Sequence, residues 1–441
     1  MTIGDSAPGA SNQIATVTGE HQLGGPPATG GGGDPHASIA DAPDELRQDA
    51  VDEGGTLWNP APEPSRVRKG MRALKWLPGL VARRAAGRAA PRGPAQVVVA
   101  IADHYEPAYL PRLLRFPTSE REQEARVERW CRLYRSTADR QRDANGFPLV
   151  HTYFLPAEDL YPAVVERLVE FARAGYGELE VQLHHGIWQP DTAEATRATL
   201  EAFRDLLVAH GCLSRWNGVG APRYGFVHGN WALANSNHGR YCGVDGEMQI
   251  LADTGCYADF TMPSAPDPSQ VGKTNSIYEC TLPFGERAPH RAGRDLSVGR
   301  PPTRLPLIVQ GPLALNFPEH GGARRLYPRI EIGEIASRVP PTVQRAEAWR
   351  SAGVTVDGRP DWLFVKLHCH GLGEPRWESL ITDERVELVE ALQASAARRG
   401  DTLHFVSARE MVNIALAACD GREGSPSDYR DYRLQLITPR G

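Results

Sequence analysis

The chain has 441 residues, 41% hydrophobic and 23% charged, the balance of a folded globular protein with room for one large domain or two small ones. Its net charge of −5 selects no partner by itself. No run of about 18 apolar residues offers a membrane span, and the start MTIGDSAPGASNQ lacks the basic and apolar regions of a secretory signal.

Charge is unevenly spread. Residues 1–65 hold ten acidic residues and one basic residue, Arg47. They are rich in Gly, Pro, Ala and Ser, so they bury too little apolar surface to offset their ordering entropy and are expected to be disordered. Residues 66–92 hold nine Lys or Arg and no acid. Across 66–95, Met71, Leu74, Leu77 and Val81 fall at helical spacing between basic residues, with Trp76 beside them, and Pro78 limits any helix. Two readings stay open for this stretch. One is a surface-seeking segment that touches an anionic membrane face. The other is a solvated linker, or a helix that caps the main domain.

The main domain is placed at 96–420. It opens on QVVVAIAD (96–103), a continuous apolar run of buried-strand type. Further strands are expected at 148–155, 178–184, 223–228, 276–282, 304–310, 361–368 and 402–407. A short helix leading into a strand that contains Asp259 is expected within 249–264. Helical patterns occupy 160–175, 192–211 and 383–400, the last two ending in Gly, a common helix stop. Strands alternating with helices imply parallel units and a (β/α) barrel, complete or distorted, with long loops at 229–303. The tail 421–441 is polar and expected to be peripheral.

Parallel barrels carry their chemistry at the C-terminal ends of strands. Here those ends hold Asp103-His104 with Glu106 beyond, His184-His185, His228, and His368 followed by His370. Strand alternation puts Glu180, Gln182 and His184 on one face, and Leu179, Val181 and Leu183 on the other. The same rule turns Lys366 and His368 inward. It leaves Asp103 against His104 undecided, because the whole preceding strand is apolar. His185 lies past the strand, where the chain turns.

Imidazoles with a carboxylate suit a divalent ion of the zinc kind, which activates water and polarises a carbonyl. A single histidine at a strand end is more often a hydrogen-bonded structural residue, but four such ends point to a shared site. His151 and His404 read as core or supporting residues, and His210, His238, His290 and His320 as loop or surface. Asn230 and Trp231, in the polar loop after His228, suit recognition of a polyol. The alternative for that loop is a self-bonded run of Asn and Gly turns.

In order along 96 to about 415, VVVAIADHYEP, VQLHHG, ILADTGCYADFTMPS, FVKLHCHG and TLHFVSAREMVN resemble the polysaccharide deacetylase (NodB-like) superfamily, a distorted barrel of metal-dependent carbohydrate deacetylases. The likeness is one of layout. Asp103-His104 replaces the family's Asp pair, and the second motif's histidine four residues on is missing, since Trp188 and Gln189 stand there. The resemblance implies a distorted seven-stranded barrel and hydrolysis of an acyl group from a carbohydrate or glycan precursor. It implies Asp103 as base, or as a ligand itself with no separate base, His368 as the preferred acid with His370 the other candidate, and His104, His184 and His185 as ligands of a divalent metal, zinc by preference. His228, Asn230, Trp231 and His370 fall on the substrate side. The alternatives are a metal-free glycoside hydrolase using carboxylates such as Asp103, Glu106 and Asp259, and a non-catalytic glycan-binding protein at the inner membrane face. Barrel composition shows no basic patch with interleaved aromatics, so nucleic acid is a poor partner. A cytoplasmic location is expected, with or without peripheral membrane contact through 66–92.

Overall fold

The computed structural model describes residues 76–85, 90–108, 119–138, 140–187, 189–316, 319–320, 323–324, 329–374 and 376–439. The acidic segment 1–65, most of the basic stretch, and Trp188 lie outside the described residues.

The strands in chain order are β1 (Gln96–His104), β2 (His151–Pro156), β3 (Gly177–Leu183), β4 (Ser214–Trp216), β5 (Val219–His228), β6 (Cys256–Asp259), β7 (Ile277–Cys280), β8 (Gly293–Asp295) and β9 (Leu307–Val309). Four short ones follow, β10 (Ala314–Asn316), β11 (Glu319–His320), β12 (Ala323–Arg324) and β13 (Arg329–Glu331), then β14 (Trp362–Cys369), β15 (Thr402–Phe405) and β16 (Leu434–Leu436). The helices are α1 (Leu77–Ala85), α2 (Glu120–Ala138), α3 (Pro162–Phe171), α4 (Ala193–Ala209), α5 (Glu247–Thr254), α6 (Val343–Ser351), α7 (Trp377–Ile381), α8 (Asp383–Arg399) and α9 (Ala408–Cys419).

The main sheet runs β14-β1-β2-β3-β5-β6-β9-β7-β8. Its pairs are parallel from β14 through β9, and β7 is antiparallel to both its neighbours. The fold is therefore mixed α/β around a large, mostly parallel sheet. The ladder is open: among the described residues no strand pair joins β14 to the far edge.

Period-two alternation sorts the side chains as the apolar pattern implies. On the first face Val97, Val99, Ile101, Leu179, Val181, Leu183, Leu363, Val365 and Leu367 cluster with Val127 and Trp130 of α2, Leu168 of α3, Leu200 of α4 and Leu388 of α8. On the second face Val98, Ala100, Ala102, Phe154, Val227 and Phe364 cluster with Met411 and Val412 of α9. That last helix starts on a reciprocal cap, in which Ser407 Oγ accepts from Glu410 N and the Glu410 carboxylate accepts from Ser407 N. Helix α8 stops at Gly400, whose φ of +71° is left-handed.

One expectation changes. The tail is built into the domain: β16 pairs with β4, Leu434 is buried, and Asn413 of α9 bonds the Leu434 backbone through both ends of its amide. A polar sequence read as peripheral is held because α9 carries buried polar groups that need partners. In the basic stretch, Trp76 and Leu80 bury against Ala265 and Leu313, and Arg83 donates to Ser276 Oγ and the Gly353 carbonyl. Residues 76–85 thus cap the domain with their apolar side, while Val81 stays 59% exposed. Among the described residues no helix is long and apolar enough to cross a membrane.

Candidate metal centre

The alternation that builds the core also distributes the polar strand ends. In β1, Ala100, Ala102 and His104 follow one another on the second face, while Ile101, Asp103 and Tyr105 take the first. Asp103 accordingly bonds His151 Nδ1 at 2.8 Å and the Gly371 amide at 2.8 Å, beneath the aromatic cluster of Tyr105, Trp130 and Tyr153. The structure does not bring Asp103 to His104 and His184. His151, read as a supporting residue, is its partner. Asp103 and Glu106 bond different partners, Asp103 with His151 and the Gly371 amide, Glu106 with Gln182 and His184.

The second face assembles His104, Glu106, His184 and His370. Single donor atoms of His104, Glu106 and His370 lie within 4.8 Å of one another. His184 Nε2 is 2.9 Å from Glu106 Oε1, and His370 Nδ1 is 3.5 Å from Glu106 Oε2. The His104 and His370 rings stand 4.7 Å apart, and His368 is 6.3 Å from His104. Gln182, two residues before His184 and on the same face, donates to Glu106 Oε1 at 2.5 Å. Behind this layer, His184 Nδ1 meets Glu158 Oε1 at 2.7 Å. A carboxylate on one ring nitrogen fixes the tautomer and aims the other nitrogen, the arrangement that commonly supports a metal-ligating histidine. The ring lies flat on Gly229, where a Cβ would come within 2.2 Å of it.

Electrostatics follow from burial. Burial, with the nearby His370 charge, holds the His104 imidazole well below its ordinary range, and burial with Lys366 does the same to His368. Burial alone would raise the Glu106 carboxyl, but hydrogen bonds from His184 and His370 hold it below the usual carboxylate range. Lys366 points inward as expected, donating to the Phe260 and Met262 carbonyls at 2.6 and 2.8 Å. Burial pulls its ammonium down to about 7 against the opposing charge of Asp259. Against burial, the Glu158 and Glu106 carboxylates hold His184 above its ordinary range, and Glu106 does the same for His370. Imidazoles grouped around a carboxylate form a donor set that fits a divalent cation. His104 Nδ1 and His368 Nδ1 are buried without a hydrogen-bond partner among the described residues, which is unusual for polar atoms inside a protein.

His185 is sent the other way. Its Nδ1 is 2.9 Å from Asp191 Oδ2, and its Nε2 is 2.8 Å from Glu247 Oε1 at the first turn of α5. His228 joins it on the first face, with the two rings 5.0 Å apart. His228, read as a substrate-side residue, is wholly buried on this face. Asn230 and Trp231 are half-buried at the rim just beyond. His290, read as a loop or surface residue, is buried in a single 3-10 turn, Pro289–Arg291.

Glu106 was legible as a site member from parity, since it stands two residues after His104. Glu158, Asp191, Cys242 and Glu247 carry no comparable signal, because they sit on turns, loops and a helix start that only the tertiary fold brings to the strand ends. No protein-family model matches the chain, and no curated protein is significantly similar to it.

Proposed function

We propose that the chain is a metal-dependent hydrolase that removes an acyl group, acetyl in the simplest case, from a carbohydrate or glycan precursor. The observation that carries this reading is the His104–Glu106–His184–His370 group on one face of the parallel strand ends, with Glu158 clamping the back of His184. His104, Glu106, His184 and His370 would hold the ion. When bound, a divalent cation, zinc by preference, supplies Lewis acidity for attack of water on an acyl carbonyl.

The residues do the rest. His368 has its Nδ1 unpartnered beside this group and takes the proton role, receiving a proton at Nδ1 from water and returning it to the leaving group. This replaces Asp103 as base, because Asp103 faces the opposite layer. Asn230 and Trp231 at the rim offer an amide and an aromatic face to a sugar. The fold is read as a distorted barrel. In support, a Cβ on Gly311, just past β9, would lie 2.5 Å from the Lys366 carbonyl of β14, so the chain leaving the last parallel strand comes close to the β14 edge.

The test is elemental mass spectrometry of purified protein, wild type against His184→Ala, followed by acetate release from acetylated sugars. Loss of about one metal equivalent and of acetate release in the variant supports the reading. Equal metal content in both proteins, or no acetate release by metal-loaded wild type, refutes it.

A further inference from the structure

A second cluster stands on the opposite face of the same strands, and we infer that it is a separate, structural metal site formed by His185, His228, Cys242 and Glu247. One donor atom from each lies within 4.8 Å of the others, and all four side chains are buried. Two imidazoles, a thiolate and a carboxylate form a four-ligand set of the type that binds zinc tetrahedrally. The two clusters differ as structural and catalytic sites differ. Here every ligand side chain is buried, whereas the His104 group includes His370, whose side chain is 23% exposed.

The surroundings are those of a ligand set. Asp191 Oδ2 lies 2.9 Å from His185 Nδ1 and also accepts from Thr196 Oγ1 at 2.8 Å, which leaves His185 Nε2 turned to the cluster. Glu247 uses one oxygen to accept from the Ala234 amide at 2.6 Å and presents the other, Oε1, to His185 and His228. Cys242 Sγ accepts from the Val244 amide at 3.4 Å and stands 3.7 Å from Glu247 Oε2.

The independent observation is His228 Nε2. It is fully buried, 3.8 Å from Glu247 Oε1, and has no hydrogen-bond partner among the described residues. Buried polar atoms are rarely left unpaired inside proteins, and a cation between Nε2 and Oε1 would satisfy both. Ligation through Nε2 puts the ring proton on Nδ1, so the 3.3 Å contact from the Asn230 amide to Nδ1 is the one that lengthens. The ion would pin the loop carrying Cys242 and the start of α5 to the ends of β3 and β5. The all-protein alternative is a proton, with His185 as a cation between Asp191 and Glu247.

Cobalt(II) separates the two. Chelator-stripped protein reloaded with cobalt should show a thiolate-to-cobalt charge-transfer band with the visible intensity of tetrahedral coordination. Cys242→Ser should abolish the band, and His184→Ala, which removes a ligand of the first centre only, should keep it. Wild type that holds cobalt without a thiolate band, or a band that survives Cys242→Ser, overturns the assignment. The wild-type spectrum decides even where Cys242→Ser fails to fold. No acetate release by metal-loaded wild type, with the band present, would sink the hydrolase and leave this site standing.

Discussion

Glu180 sits on the second face of β3, wholly buried, with Tyr257 Oη donating to one carboxylate oxygen and the Gly225 amide to the other, each at 2.6 Å. Burial pushes its carboxyl up to about 8, offset in part by those two donors and reinforced by the nearby Glu178 charge. Between its ordinary 4.5 and about 8 the folded chain therefore holds a proton that the unfolded chain has lost. This stability is fully present below pH 4.5 and falls as pH rises through the window, levelling above 8. At about 1.4 kcal/mol per unit, the gap corresponds to roughly 5 kcal/mol as an upper figure. Glu180→Gln removes the titration. It carries a constant penalty of about 1–3 kcal/mol, because an amide NH2 then faces one of two donors. Urea unfolding of both proteins from pH 5 to pH 9 should give curves that cross: wild type more stable at pH 5, the variant at pH 9. A stability difference that stays flat with pH refutes the argument.

Two further outcomes test the supporting residues. Glu158→Gln takes the carboxylate from His184 Nδ1 and should weaken metal affinity at the first centre by about 10–100-fold, read by competition with a chromogenic chelator. An unchanged affinity would show that Glu158 does not aim the ring. Arg409→Met removes the guanidinium that meets Glu178 at 2.7 Å in the interior and also anchors the tail through Asp431 and the Arg430 and Leu434 carbonyls. A loss of about 3–5 kcal/mol is expected in denaturant unfolding, and a loss below about 1 kcal/mol, the range of an exposed pair, would refute the burial argument.

The strand ends were legible because period-two alternation is a local property. From ELEVQLHH alone, Glu180, Gln182 and His184 could be placed on one face, and they are there. Asp103 could not be placed the same way. QVVVAIAD is apolar on both sides, and a strand buried on both faces carries no phase. The phase came from pairing, with Asp103 opposite Cys369 of β14 and Tyr153 of β2. Helix α2 was passed over because EREQEARVERWCRLYRSTA is dominated by charge, although Val127, Trp130, Cys131 and Tyr134 bury at helical spacing. Cys242 gives no sequence signal because no CxxC occurs, and cysteine spacing tests for partners along the chain and not for imidazoles across it.

The adjacent histidines at the end of β3 divide their neighbours so completely that the strand has a single workable alignment. His184 belongs with Glu106 and Glu158, and His185 with Glu247 and Asp191, on opposite sides of one peptide. Sliding β3 by one residue against β2 and β5 would exchange the two rings and strand both sets of carboxylates at once. The dipeptide therefore acts as a proofreading mark for assembly, separating the native pairing from its closest mistake by two buried clusters rather than by apolar contacts alone.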